Sequence, residues 1–456
     1  MLRLLKIPRS MTRLLERTGE QMSGEIIGLI GTLAVIALMF LRVPVAFSML
    51  TVAFTGMVVM TGFTPAISAI GTDLYTQFSS YTMSVIPLFG LMGYLASYSG
   101  LGSKLFNLGD KTVGHIKGGL CMAVQIACAI FGAICGSNSA TVATIGSIAY
   151  PEMKKLGYDD SLSTASVASG ASLSLLIPPS VTFIVYGIAT EVSIGKLFIS
   201  GIFPGILLMF LFMCVGYIDV SRNPSLAPIK GKASRQERMK ALTDGGVLEV
   251  LVVFFFSIGG IFFGWFTATE AGAVGATGML LVCLVSRKLT WNVLKKSLFE
   301  SAKLTATVFL LVSSATVFSR FFALSRIPTF LGNLVATLDV NKWIIFAVIL
   351  FIYLILGMFI DALAMILLTI PVFYPIIVTA LGYDPIWFGV LIVMVLSMAS
   401  ITPPIGLNVF IMQSVAKEVP IFTIYKGVWG YVAAIVVACA LLIAFPGIAT
   451  WLPSLV

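Results

Sequence analysis

The sequence predicts an all-α polytopic membrane protein with about 10 to 11 transmembrane helices and two re-entrant helical hairpins, arranged as an inverted repeat. Three observations predict this class. The 456 residues are 59% hydrophobic and only 10% charged, whereas soluble domains are about a quarter charged. Long apolar stretches recur along the chain, and short motifs repeat at one constant spacing.

Several apolar stretches are long enough to cross a hydrocarbon core, which takes about 20 residues at 1.5 Å of rise each. They lie at 25–41, 44–62, 247–264, 269–286 and 427–447. We predict that the helices within 25–62 and 247–286 form a scaffold.

The basic residues follow the pattern of membrane topology. The chain has 28 Lys and Arg against 19 Asp and Glu, a formal net charge of +9. The Lys and Arg lie mostly in short loops between apolar stretches. Cationic loops resist translocation, so 100–118, 219–246 and 287–303 are predicted to be cytoplasmic. Residues 219–246 form a cytoplasmic linker between two halves. Because the charge is not gathered on one face, it indicates no nucleic-acid partner.

Residues 1–24 form a basic N-terminal extension with five Lys and Arg. Three interpretations stay open: an interfacial basic helix, a targeting segment, or a mis-called start that precedes a natural start at Met22. N-terminal sequencing of the native protein separates the last interpretation from the others.

Two sets of motifs recur at the same spacing of 225 residues, which we call the repeat offset. LGYDD at 156–160 returns as LGYDP at 381–385, and IPPS at 177–180 returns as TPPI at 402–405. The first repeat is predicted at 84–218, and the second at 302–447. The re-entrant hairpins within them are predicted at 118–155 and 341–379. The broken helices are predicted at 160–191 and 385–416. In the charge-based topology the two hairpins enter from opposite sides, which is typical of secondary transporters.

The first hairpin turns at GSNSAT, residues 136–141. Such residues free backbone carbonyls and add hydroxyl and amide oxygens. Unpaired backbone at membrane depth costs several kcal/mol unless protein, water or an ion satisfies it. Neutral oxygens suit sodium, which is a hard cation. The alternative is a small-residue motif for helix packing.

Ile177-Pro178-Pro179-Ser180 cannot continue a helix, because proline lacks an N–H donor and clashes with the preceding turn. Ser172 and Ser174, just upstream, can line the same gap. The alternative for a lone proline is a simple kink, but a second double proline at 403–404 favours a paired functional break.

Asp361 lies at the tip of the second hairpin, at the position that the repeat offset pairs with Gly136. An ionisable residue in an apolar segment is functional by default, and a structural salt bridge is the alternative. Glu270, in TATEAGA, stays open between a functional role and capping of the following helix, with Thr267 or Thr269 near its N-terminus.

Other chemistry is not indicated. His115 has no second histidine for a metal site, and we expect it at the surface. The six cysteines lie in apolar segments without a C-x-x-C pair, so we predict packing residues and no transition metal. The sequence has no Walker motif and no nucleophile with a plausible base, which argues against ATP drive and against an enzyme.

Five long motifs carry a family resemblance: GSNSATVATIGSIAYPEMKKLGYDD, SLLIPPSVTFIVYGIATEVSIGKLFISGIFPGILL, FTATEAGAVGA, MFIDALAMILLTIPVFYPIIVTALGYDP and ITPPIGLNVFIM. Over about residues 25–450 the chain resembles the large permease (M) subunit of TRAP transporters, of the DctM and SiaM kind, in the ion-transporter superfamily. The resemblance implies an elevator mechanism, coupling to Na⁺, and two separate partners. These are a small four-helix membrane (Q) subunit and a periplasmic substrate-binding (P) protein.

The resemblance also implies site residues. One sodium site matches Ser137, Asn138, Ser139, Ser174, Ile177 and Pro179, and a second matches Asp361, Thr402 and Pro403. Asn138 stands where many members have a smaller residue. We place the substrate contacts at Gly136, Thr141, Pro178, Ser180, Pro404 and Asn408.

The expected function is import of a small organic acid, such as a C4-dicarboxylate or sialic acid, by a multi-pass protein among the lipids of the bacterial inner membrane. The nearest alternative is a solitary sodium-coupled carboxylate carrier that needs no binding protein. An ion channel would pass current without organic acid, and an intramembrane enzyme would turn over substrate in detergent.

Overall fold

The computed structural model describes residues 9–243, 246–337 and 340–456, with side chains from residue 24 onward apart from 334 and 336. These ranges contain helices, turns and no β-strand, which confirms the predicted all-α class. The first eight residues of the predicted N-terminal extension lie outside the described residues.

The helices of the first half are joined by short turns. Their bounds are α1 (Arg9–Phe40), α2 (Val45–Thr61), α3 (Phe63–Phe78), α4 (Val85–Tyr98), α5 (Leu101–Val113), α6 (Gly119–Cys135), α7 (Asn138–Lys155), α8 (Asp160–Ala171), α9 (Val181–Thr190) and α10 (Ile194–Arg222).

The second half continues in the same way. Its helices are α11 (Arg235–Thr243), α12 (Val247–Phe262), α13 (Ala268–Val285), α14 (Trp291–Ser325), α15 (Ile327–Thr337), α16 (Lys342–Gly357), α17 (Ala362–Tyr374), α18 (Pro385–Ala399), α19 (Leu407–Val415), α20 (Ile421–Ala444) and α21 (Gly447–Thr450). A π-helix over Pro375–Ala380 extends α17.

Among the described residues, five helices are long and apolar enough to cross a membrane. These are α10, α13, α14, α20 and α17 with its π extension. Two bent pairs raise the number to seven if each pair is one span. Shorter apolar helices, among them α6, α9, α16 and α18, belong to the hairpins and broken segments. The chain is therefore a multi-pass membrane protein, and the number of about 10 to 11 spans stays a prediction.

Helices also occur where no span was predicted. α3 and α5 fill segments between predicted spans, α11 lies within the predicted linker, and α14 begins at Trp291, within the predicted cytoplasmic loop 287–303. Both α3 and α5 carry ionisable residues, such as Asp73 and Lys104, which lower their mean hydropathy. A search for apolar stretches therefore passes over them.

One compact unit comprises the chain up to Ser80 with Phe309–Phe346 and Ile366–Tyr383. Its centre is the ring of Phe321 on α14, which is fully buried. A Cβ built on Gly31 would lie 2.7 Å from that ring, and one on Gly56 of α2 would lie still closer to it. The absence of a side chain at these two glycines is what lets α1 and α2 approach α14.

Helix α3 is fastened to α14 in this unit by polar contacts. The Asp73 carboxylate accepts hydrogen bonds from both Nε and Nη2 of Arg320 in a bidentate pair, and Nε lies 2.6 Å from Oδ2. One turn further, Gln77 donates to Thr316 at 2.9 Å. The Asp73 side chain is only 7% exposed, whereas that of Arg320 is 46% exposed. The two partners should therefore respond differently to removal.

We expect Arg320→Met to destabilise the protein by about 2 kcal/mol, because it leaves a buried carboxylate without its cation. Asp73→Ala should cost less, about 1 kcal/mol or below, since the guanidinium left behind already reaches the surface. Thermal unfolding of the purified protein in detergent measures both. Equal melting temperatures for the two variants would contradict this interpretation of the pair.

The second compact unit comprises Tyr81–Val308, Ala347–Met365 and Asp384–Val456. Helix α8 lies at its centre, with residues 162–171 all buried. Small residues bring its neighbours close: a Cβ on Gly170 would lie 2.7 Å from Oε1 of Gln125 in α6, and one on Gly427 of α20 would lie 2.6 Å from Cβ of Ala165. The predicted scaffold segment 247–286 belongs to this unit, and 25–62 to the other. Their scaffold role stays a prediction.

The correspondence between the two repeats extends from sequence to backbone geometry. Helix α8 begins after Asp159 and α18 after Asp384, and each Asp side chain caps its helix. Gly157 and Gly382 have φ of +78° and +73°. The peptide bonds Pro178–Pro179 and Pro403–Pro404 are both cis.

Side-chain packing repeats at the same offset. A Cβ on Gly132 would lie 2.6 Å from Cβ of Ser174, and one on Gly357 would lie 2.9 Å from Cβ of Ala399. The Ser397 hydroxyl also lies 3.4 Å from the carbonyl oxygen of its own counterpart, Ser172, 225 residues away. The two residues that the repeat offset pairs are therefore in contact, and the inverted relation of the repeats stays a prediction.

Candidate functional site

The tip of the first hairpin, between α6 and α7, is a tight turn. Gly136 adopts φ +61°, which glycine tolerates best, and its N–H caps α6 by donating to the Gly132 carbonyl at 2.7 Å. Ser137 then caps α7, where its Oγ accepts from the N–H of Ala140 at 3.4 Å. Thr141 is fully buried and donates to the Ser137 carbonyl at 2.7 Å. The glycine and the serine are the residues that such a turn requires.

The first broken helix changes form where the double proline was predicted to interrupt it. Helix α8 tightens into a 3₁₀ turn over Ser172–Leu175, and helical structure resumes at Val181. The Ser174 hydroxyl donates to the Ala171 carbonyl at 2.7 Å. Ser180 donates to the Leu175 carbonyl at 2.6 Å and caps α9. Serine side chains thus satisfy part of the backbone that the break leaves unpaired.

The hairpin tip and the break meet. The N–H of Val181 donates to the Gly136 carbonyl at 3.5 Å. A Cβ on Gly136 would lie 2.9 Å from the carbonyl oxygen of Pro179. The structure therefore brings together Gly136, Ser137 and Pro179, and it places Ser174 against α6 one turn earlier.

Asn138 carries an unsatisfied oxygen at this place. Its Oδ1 is buried and has no hydrogen-bond partner among the described residues. The Pro179 carbonyl faces the Cβ position of Gly136, two residues before Asn138. An orphaned amide oxygen and a backbone carbonyl are the kinds of oxygen that fit a hard cation such as sodium. Ser139 is half-buried beside it, and the side chain of Ile177 packs at Gly205 of α10.

The second break repeats this arrangement. Helix α18 ends at Ala399, and α19 begins at Leu407. Thr402 is buried and its hydroxyl donates to the Met398 carbonyl at 2.6 Å. The N–H of Gly406 donates to the Met358 carbonyl, at the second hairpin tip, at 3.4 Å. Gly406 is the repeat counterpart of Val181, whereas its acceptor Met358 lies three residues before Asp361, the counterpart of Gly136.

Asp361 begins the second arm of the second hairpin. Its Oδ2 accepts from the N–H of Leu363 at 3.1 Å, so the carboxylate caps α17. None of the ion pairs formed by the described residues includes Asp361. The structural salt bridge considered as its alternative role is therefore not observed, and the exposed carboxylate stays a sodium-ligand prediction.

Tyr425 of α20 was missed by sequence reasoning. Its hydroxyl lies 2.9 Å from the carbonyl oxygen of Pro404 and 2.6 Å from that of Ile405. One hydroxyl proton serves these two acceptors, so Tyr425 holds the backbone of the second break. No local pattern marks it, because the contact joins the break to a different helix further along the chain.

The predicted substrate contacts occupy different surroundings. Pro178 and Ser180 are buried within the first break, and Pro404 is exposed with its carbonyl held by Tyr425. Asn408 is fully buried and donates from Nδ2 to the Ala168 carbonyl of α8 at 2.8 Å. Its Oδ1 has no partner among the described residues. Asn408 thus joins α19 to α8, and its contact with substrate stays a prediction.

Glu270 forms a capping box with Thr267 at the start of α13. The Thr267 Oγ1 accepts from the N–H of Glu270 at 3.3 Å, and Glu270 Oε2 accepts from the N–H of Thr267 at 2.8 Å. Of the two roles left open for Glu270, the structure supports capping by Thr267, not Thr269.

We expect Thr267→Ala to cost about 1 kcal/mol of stability, because it removes this cap. Glu270→Gln should leave uptake and its sodium dependence unchanged, since Gln completes the same box. Thermal unfolding and proteoliposome uptake measure the two effects. A changed sodium dependence in Glu270→Gln would show that the carboxylate does more than cap the helix.

Among the described residues no group of three His, Cys, Asp or Glu could hold a metal ion. His115 is half-buried, and its Nδ1 has no partner among those residues.

Comparison with known proteins assigns the family. Residues 32–448 match the family described as "Tripartite ATP-independent periplasmic transporter, DctM component". The chain belongs to this DctM family. It is 34% identical over 392 residues to the C4-dicarboxylate TRAP transporter large permease protein DctM of Pseudomonas aeruginosa, covering 85% of this chain and 90% of the relative.

Other relatives agree on the family. The sialic acid TRAP transporter large permease protein SiaM of Vibrio cholerae is 32% identical over 438 residues, covering 95% of this chain and 99% of that protein. The predicted recognition of a TRAP large permease is confirmed. DctM-family relatives are transporter permeases, which points to a non-enzyme.

The fold has solved counterparts among transporters. The YdaH transporter of Alcanivorax borkumensis superposes with a TM-score of 0.59 at 16% identity, covering 86% of this chain and 90% of that one. At this identity the likeness concerns the fold alone.

Proposed function

We propose that this DctM-family chain is the large membrane subunit of a tripartite, sodium-gradient-driven secondary transporter that imports a small organic acid through the bacterial inner membrane. The observation that carries the proposal is the pairing of each helix break with a hairpin tip. Val181 donates to the Gly136 carbonyl at the first, and Gly406 donates to the Met358 carbonyl at the second. Broken helices that meet in this way are where secondary transporters hold their cargo.

The chemistry of the oxygens at the first break supports the proposal that sodium binds there. Among the described residues Asn138 Oδ1 is buried without a donor, and the Pro179 carbonyl of the break faces Gly136 at the tip. Both are neutral oxygens, so an ion bound there keeps its positive charge. At the second break the proposed ligands are the carboxylate of Asp361 and the backbone and hydroxyl oxygens of Thr402 and Pro403. A sodium ion there would be neutralised by Asp361.

The positions of two helix N-termini near the breaks support the proposal that the cargo is an organic acid. Helices α7 and α19 begin at Asn138 and Leu407, beside the first tip and the second break. Helix N-termini carry partial positive charge and free N–H groups, which favour a carboxylate. Sodium at the first break would add to this positive field, so cargo and ion would load together. An elevator movement of the hairpins and broken helices as one block would then carry both across.

The class of acid is left broad because relatives differ: one is named for C4-dicarboxylates and another for sialic acid. A separate Q subunit and a periplasmic P protein are proposed as partners from membership of a tripartite family. The P protein would select the acid and deliver it to the outer side.

Uptake of radiolabelled organic acids into proteoliposomes tests the proposal. The vesicles contain this chain with its Q subunit, and the cognate P protein and an inward sodium gradient are added or withheld. We expect uptake only when all components are present. Uptake that persists without the P protein would identify a solitary sodium-coupled carrier, and uptake that ignores the sodium gradient would refute sodium drive.

A further inference from the structure

A cluster of charged and hydroxyl groups joins three elements at one end of the second unit. Lys154, near the end of α7, donates to Glu418 Oε1 and to the Tyr150 hydroxyl, each at 3.1 Å. The Tyr150 hydroxyl lies 3.0 Å from Asp160 Oδ1, at the start of α8, and 3.2 Å from Glu418 Oε1. Glu418 belongs to the turn between α19 and α20. The cluster therefore ties the first hairpin to the end of the second broken helix.

Helices α7 and α19 run side by side in the same direction. Near their middles, a Cβ on Gly146 of α7 would lie 3.1 Å from Sδ of the fully buried Met412 of α19. Toward their C-termini, Lys154 meets Glu418. Since the contacts advance in the same direction along both helices, the two are parallel, and both N-termini point away from the cluster.

Parallel neighbours place two helix C-termini together, and each carries about half a negative charge. Lys154 lies in the last turn of α7 and offsets this repulsion. Glu418 stays ionised, because its own backbone N–H and then Lys154 hold the pKa of its carboxyl below the usual value. Tyr150 is 3% exposed, whereas the side chains of Lys154 and Glu418 are 45% and 56% exposed, so the ion pair lies over a buried tyrosine and is itself largely exposed.

The corresponding positions of the second repeat carry residues that cannot form such an ion pair. At the repeat offset, Tyr150 and Lys154 correspond to Pro375 and Thr379, and Glu418 corresponds to Ser193. None of these three counterparts can form an ion pair. In addition, α17 continues into its π extension, whereas α7 stays α-helical to its end. The two hairpins are therefore anchored differently.

We propose that Lys154, Tyr150 and Glu418 form an ionic latch that fixes the first hairpin to α19, so that the second hairpin is the one that opens during transport. This inference rests on the proposed transport function. The latch makes α7 and α19 one rigid body. The return arm of the second hairpin, 362–380, contains no charged residue that could form such an ion pair, and this hairpin then gives access to the cargo site.

Hydrogen–deuterium exchange of the full-length protein in lipid nanodiscs tests the latch without requiring transport. In the wild type, amides of 138–155 should exchange more slowly than those of 362–380. Lys154→Met should speed exchange in 138–155 by about two- to fivefold, which is the range for a largely exposed ion pair. The exchange of 362–380 should not change. Lys155→Met is the matched control, because within the described part of the chain Lys155 pairs only with Glu152 of its own helix, at 3.5 Å.

Glu418→Gln should speed exchange in 138–155 to the same degree, and the double variant with Lys154→Met should be no faster than either single variant. Lys154→Arg keeps the cation and should behave like the wild type, which guards against a general folding defect. Additive effects, equal exchange of the two hairpins, or a Lys155→Met effect as large as that of Lys154→Met would overturn the latch. A latch confirmed in a protein that shows no sodium-driven uptake would instead refute the transport proposal alone.

Discussion

Gly136→Ala is expected to reduce sodium-driven uptake by at least about tenfold, which corresponds to roughly 1.4 kcal/mol. Gly136 has φ +61°, where an alanine costs about 1–2 kcal/mol. In addition, its new Cβ would lie 2.9 Å from the carbonyl oxygen of Pro179, too close for a carbon atom. Relief requires the first hairpin tip to move away from the break, which separates the oxygens proposed to bind sodium. Initial uptake rates in proteoliposomes measure the effect.

Gly157→Ala is the matched control for this variant. Gly157 has φ +78°, so an alanine there meets the same backbone strain, but nothing lies within 4 Å of its Cβ position. We expect slightly lower stability and near-normal uptake. If Gly136→Ala and Gly157→Ala reduce uptake equally, backbone strain explains the loss, and the contact between the hairpin tip and the break is not functional.

Asp361→Asn is expected to raise the sodium concentration for half-maximal uptake by about tenfold. The amide keeps an oxygen for the ion but loses the negative charge, and one ligand's charge in a partly exposed site is worth on the order of 1–2 kcal/mol. The capping role alone predicts almost no change, because Asn caps a helix as well as Asp does. The sodium dependence of uptake therefore separates the two roles of this carboxylate.

Asp384→Asn provides the matched control. Asp384 caps α18 by accepting from the N–H of Trp387 at 2.8 Å, just as Asp361 caps α17. It lies at the opposite end of α18 from the second break. We expect an unchanged sodium dependence in this variant. A sodium dependence of Asp361→Asn that matches the wild type would leave only the capping role for Asp361.

The sequence located the breaks because their causes are local. Proline cannot continue a helix, and the GSNS turn supplies a glycine for positive φ and a serine for the next N-cap. The turn at Gly136 and the breaks before Val181 and Leu407 therefore lie where they were expected. The capping box at Thr267 is local in the same way, since its two members are close neighbours in the chain.

Contacts between distant residues could not be predicted. Asp73 lowers the hydropathy of α3, and the partner that fastens the helix, Arg320, lies 247 residues away. Likewise Tyr425 reaches the second break from another helix. The latch joins Lys154 to Glu418 across 264 residues, and neither residue carries a motif. Periodicity and spacing describe single elements, whereas these contacts depend on how the elements pack.

Equilibrium binding of radiolabelled sodium to the purified chain tests the central claim most directly, namely that the two helix breaks hold sodium. We expect saturable binding by the wild type, weaker binding when Asn138→Leu removes the orphaned oxygen of the first break, and weaker binding again in Asp361→Asn. The double variant should bind least. Wild-type protein without saturable sodium binding, or variants that bind as the wild type does, would contradict the claim.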